Sequence, residues 1–123
     1  MLGLPCKGSP QCGAKAMTDE QSVEKTLDWM MGNVTKLSQA VADRKYLEDY
    51  RKVKWSTLML EAPPGTVASK EAWATAHKDY GGVLEGLKVA VQQESELKHL
   101  FTIAEAKIEV WRTIQANNRA GVV

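Results

Sequence analysis

The chain has 123 residues, one domain's worth, and a formal net charge of only +1. That balance argues against a surface that grips nucleic acid or anionic lipid all over, and leaves room for a local patch. With 44% hydrophobic and 25% charged residues the composition is that of a folded protein rather than a disordered one.

The opening sixteen residues, MLGLPCKGSPQCGAKA, are rich in Gly and Pro and have no apolar h-region of a secretory signal. Residues 1–17 are expected to be a disordered leader, or an over-called start, because Met17 opens MTDEQ and reads as a natural beginning. Cys6 and Cys12 both lie in this leader, with no zinc-type spacing and no histidine close by. No run of residues has membrane-spanning length and apolarity, and the expected location is the cytoplasm, with no membrane partner.

Residues 18–123 are expected to form a single helical domain. Thr18 to Gln21 has the form of a capping box, followed by apolar residues at Val23, Leu27, Met30, Val34, Leu37 and Val41. This 4-3-4-3-4 spacing is a heptad seam, the pattern of a helix packed along another helix. Beyond Val41 the phase slips to Tyr46, Tyr50, Val53, Thr57 and Leu60. One long helix over residues 19–61 is expected, with Gly32 or Asp43 as the place where it would break.

Pro63-Pro64-Gly65 then stops the helix and turns the chain. Thr66 is positioned to cap a short helix over residues 67–77, and Asp79 to cap a last helix over residues 80–117. The seam of that last helix reads Tyr80, Leu84, Leu87, Val91, Glu94, Leu97, Phe101, Ala104, Ile108, Trp111 and Ile114. No segment alternates as a strand would. The expected architecture is all-α: an elongated antiparallel helical hairpin with a short helix at the corner, each long arm spanning roughly 60 Å at 1.5 Å per residue.

In such a hairpin Ile108, Trp111 and Ile114 would meet Val23, Leu27 and Met30. Two helices alone leave apolar side chains over, including Trp29, Met31, Leu47, Leu58, Met59, Leu100 and Ile103. Together with Trp111 these form the candidate interface, and they lead us to expect a homo-oligomeric helical bundle or a protein partner.

Signals for chemistry are sparse. Glu96-Leu97-Lys98-His99 is a single E-x-x-H, half of what a di-iron bundle needs, and reads as a solvated pair. There is no phosphate loop and no nucleophile elbow, so neither catalysis nor a cofactor or metal is expected. The densest basic stretch, Arg44, Lys45, Arg51, Lys52 and Lys54, is interleaved with Tyr46, Tyr50 and Trp55. Cations beside aromatic rings suit single-stranded nucleic acid, so these cations and Trp55 are the candidate nucleic-acid contacts, against the plainer reading of a solvated charged face.

Three blocks, YLEDYRKVKWSTLMLEA, GTVASKEAWATAHKDY and AEAKIEVWRTIQANNRA, carry a resemblance over residues 45–120. They look like the signature blocks of an uncharacterised small helical protein family of tailed phages and prophages. Thr66, Val67, Ala68, Glu71, Ala72 and Ala74 stand in one block, and Ile108, Glu109, Trp111 and Arg112 in the other. The family usually places an acidic residue where this chain has Ser69.

Such proteins are often encoded among recombination and replication genes. The resemblance implies a non-enzymatic accessory or adaptor role in phage DNA metabolism, in the cytoplasm of the bacterial host, with a partner of phage or host origin. The alternatives are a single-stranded DNA-binding helical protein and a structural bundle component of the virion.

Overall fold

The computed structural model describes residues 20–122, so Cys6, Cys12 and the first residues of the capping box lie outside the described residues. Within them the chain is all-α: α1 (Glu20–Glu61), α2 (Val67–Ala76) and α3 (Lys78–Val122) form a helical hairpin with the short helix at its corner. No helix among the described residues is long and apolar enough to cross a membrane.

Helix α1 runs unbroken past both Gly32 and Asp43. One glycine costs about 1 kcal/mol relative to alanine, too little to interrupt a helix of 42 residues that packs along its length.

Contacts divide the structure into two compact units. The corner unit takes residues 35–97, and the terminal unit residues 20–34 with 98–122.

In the corner unit the inward positions of α1 are Leu37, Ala40, Arg44, Leu47, Arg51, Lys54 and Leu58, all buried or half-buried. Those of α3 are Tyr80, Val83, Leu87, Ala90, Glu94 and Leu97. Both sets keep alternating steps of three and four, so the heptad phase does not slip at Val41. The expected second seam faces outward instead: Tyr46, Val53 and Leu60 are 65%, 59% and 88% exposed. Leu84 and Val91 are exposed as well, and Val83 and Ala90 take the inner places. The expectation failed because it followed apolar residues, and the inward positions of α1 are partly cationic. Leu58, expected at an interface, is fully buried at 0% exposure, the anchor of this unit's apolar core.

The corner is built by local bonds. Thr66, in extended backbone, caps α2 by accepting from the Ser69 amide at 3.1 Å. The Ser69 hydroxyl donates to the Thr66 carbonyl at 2.9 Å, which an ionised acid in its place could not do. A Cβ on Gly65 would come within 2.5 Å of that same hydroxyl, so a side chain there would force the Ser69 hydroxyl to shift.

His77 both closes α2 and opens α3. Its amide donates to the Ala74 carbonyl at 3.2 Å, and its own carbonyl accepts from Tyr80 and Gly81 at 3.1 and 3.2 Å. Its ring Nδ1 accepts from the Asp79 amide at 3.0 Å, the bond an N-cap side chain makes. Asp79 therefore lies in the first turn of α3, where its charge suits the helix dipole, and the cap is His77 rather than the expected Asp79.

In the terminal unit the inward positions are Val23, Thr26, Met30 and Asn33 on α1, against Phe101, Ala104, Ile108 and Trp111 on α3. Leu27 and Val34, both expected in the seam, are 45% and 50% exposed, and Thr26 and Asn33 occupy the inner line. Both polar side chains are satisfied by their own helix: Thr26 donates to the Ser22 carbonyl at 2.9 Å and Asn33 to the Trp29 carbonyl at 2.8 Å. The sequence therefore places Ile108, Trp111, Val23 and Met30 correctly and misplaces Leu27.

A candidate docking groove in the terminal unit

The inner line of this unit contains a layer of small side chains. Thr26 and Ala104 are both buried, and neither fills the space between the helices. Large residues flank that layer one position outward: Trp29 and Lys25 on α1, Leu100, Ile103 and Lys107 on α3. Small residues between large shoulders leave an open groove of about 340 Å³.

Its walls are apolar. Trp29 is half-buried and tilts at 50° against Phe101, with ring centroids 5.2 Å apart, which holds the indole as a rigid wall. Leu100 and Ile103 are 46% and 56% exposed. The two ionisable residues in the lining are both cations, Lys25 and Lys107. Asp28, the nearest acid along α1 on the C-terminal side, is not part of the lining.

The expected interface residues distribute unevenly around this groove. Trp29, Leu100 and Ile103 line it. Met31 is exposed but lies two residues from Trp29, some 200° around the helix, and so faces away from it. Trp111 is half-buried in the inner line, with its Nε1 enclosed and without a partner. Leu47 and Met59 are half-buried in the corner unit. Sequence reading placed Ala104 in the seam of the last helix, where it is buried, and missed Thr26, Lys25 and Lys107.

The basic stretch is dispersed by the corner unit's own bonds. Arg44 grips Glu94 through two nitrogens, its Nε to one carboxylate oxygen and its Nη2 to the other at 3.3 Å. Its Nη1 reaches Glu48 at 3.0 Å. The hydrogen bond that Arg44 donates to Glu94 raises the Arg44 pKa above its ordinary value, partial burial opposes it, and Glu48 adds to it. Arg51 donates to the Tyr80 hydroxyl at 3.4 Å, Lys54 lies 3.8 Å from Asp79, and Trp55 Nε1 donates to Thr75 at 3.3 Å. Lys45 and Lys52 remain exposed, so the six residues do not form one open face.

Glu96 and His99 are both exposed. Among the described residues no group of three or more His, Cys, Asp or Glu side chains is gathered in a way that could hold a metal ion.

No protein-family model, no curated protein and no solved structure matches this chain.

Proposed function

We propose that this chain is a non-enzymatic adaptor of a phage or prophage. It works in the cytoplasm of the bacterial host by docking a protein of DNA recombination or replication on a helix face. The observation that carries the docking part is the apolar groove walled by Trp29, Leu100 and Ile103. A rigid aromatic wall beside exposed aliphatic side chains is the usual make-up of a helix-in-groove site. The recombination or replication setting rests on the resemblance of the three sequence blocks. Self-association into a helical bundle belongs to the same reading, and the mass in solution measures it.

The direct reading, a single-stranded DNA-binding protein, is less well supported. Of the five cations in the basic stretch, Arg44, Arg51 and Lys54 are engaged within the corner unit, and Lys45 and Lys52 are exposed.

A photo-crosslinking amino acid at position 103, in cells carrying the phage, tests the adaptor reading. We expect a crosslinked recombination or replication protein, identified by mass spectrometry and lost when Leu100→Asp is added. Repeated recovery of no such protein would overturn the reading.

A further inference from the structure

The groove has a charge as well as a shape. Its floor and walls, Thr26, Ala104, Trp29, Leu100 and Ile103, are uncharged. Lys25 and Lys107 stand in its lining, one from each helix. On α3 the residues three and four positions either side of Lys107 are Ile103, Ala104, Val110 and Trp111, none of them acidic. On α1 the corresponding neighbours of Lys25 are Gln21, Ser22, Asp28 and Trp29, of which only Asp28 is acidic. Lys107 is half-buried, which makes its charge less screened than that of a fully exposed lysine.

We infer that the groove of the terminal unit binds an acidic amphipathic segment of a partner protein, its apolar side chains against Trp29, Leu100 and Ile103 and its carboxylates beside Lys25 and Lys107. The inference rests on the adaptor reading and adds the chemical class of what is docked. Charge complementarity selects the occupant. A basic segment would bring like charges to the lysines from both helices, and an uncharged one would gain nothing from them. The apolar walls select against acid alone, because a carboxylate-rich chain without anchors would leave Trp29 and Ile103 in water.

The test uses the full chain and two fluorescein-labelled helical peptides. Both carry Leu and Phe at positions i, i+3, i+4 and i+7, and their remaining faces carry Glu in one and Lys in the other. Binding is followed by anisotropy at low and high salt. We expect the acidic peptide to bind, more weakly as salt rises, and the basic peptide to bind about tenfold more weakly or not at all. Lys25→Glu/Lys107→Glu reverses that preference and keeps its helical circular dichroism, while Lys52→Glu in the corner unit leaves it unchanged. Ile103→Ser weakens both peptides. Equal binding of the two peptides overturns the inference, as does an acidic peptide that binds the doubly reversed variant as tightly as the original chain. So does a version with its Leu and Phe replaced by Ser that binds undiminished. Crosslinks from position 103 into a second copy of the chain, with a matching dimer mass, also overturn it by filling the groove with self. A DNA-metabolism protein crosslinked at position 103, together with failure of the acidic peptide, removes this inference and leaves the adaptor reading standing. Failure of both experiments removes both.

Discussion

The two units of this protein use the same heptad arithmetic with different chemistry. In the corner unit the inward line of α1 is interrupted by Arg44, Arg51 and Lys54, and specificity comes from directional bonds to Glu94, Tyr80 and Asp79. One fully enclosed leucine, Leu58, supplies its deepest apolar contact. In the terminal unit the inward line carries no charge: Val23, Thr26, Met30 and Asn33 face Phe101, Ala104, Ile108 and Trp111, and Trp29 packs on Phe101 from one position outward. Polar layers pin two helices in one register, because a guanidinium displaced from the carboxylate across the helices loses its bidentate partner. Small layers bring no such penalty, and they leave space. In the terminal unit that space is the groove walled by Trp29, Leu100 and Ile103.

The largest expected break of this contrast is Leu58→Ala. Truncating a fully buried leucine costs about 3 kcal/mol, and hydrogen exchange should quicken across residues 35–97 more than across 98–122. Next comes Glu94→Leu, which leaves the Arg44 guanidinium without its bidentate partner. Thermal unfolding should show a clear loss, and Arg44→Met/Glu94→Leu should recover most of it, since two apolar residues replace a paired layer. If the double variant is no better than the single one, the pair does not act as a unit.

Smaller effects probe the caps and the terminal unit. His77→Ala removes the ring acceptor that caps α3 and should cost about 1 kcal/mol in urea unfolding, while His77→Asn restores most of it. Gly32→Ala should stabilise by up to about 1 kcal/mol, because a Cβ there meets nothing within 4 Å. Trp111→Phe should change stability least, by under about 1 kcal/mol, because it removes an enclosed N–H that has no acceptor. A large loss at Trp111→Phe would mean that the volume of the indole, and not its N–H, decides the stability of this layer.

Much of the fold was legible beforehand because its signals are local. Pro63-Pro64-Gly65 ends a helix wherever it occurs, and Thr66 caps the next one through its own near neighbours. The face that each long helix turns inward was legible where apolar residues are also the inward ones, at Val23, Met30 and Leu37 on α1 and most continuously from Leu97 to Trp111 on α3. Along residues 46–60 Tyr46, Tyr50, Val53 and Leu60 repeat at heptad spacing and point outward, and a hydrophobic pattern cannot distinguish them from a core. The candidate site was half legible: Trp29, Leu100 and Ile103 stood out as surplus apolar residues, but nothing in them said that they share one groove with Lys25 and Lys107.

The sequence by itself determined the helices, the corner and the absence of strand patterning, because backbone propensity and turn chemistry act over a few residues. The tertiary structure alone decided which heptad face is buried, since Arg44 can lie inward only when Glu94, fifty residues away, is there to receive it. It also decided where the groove lies, because an opening between helices depends on which side chains meet across the gap, and the spacing along one chain does not record that.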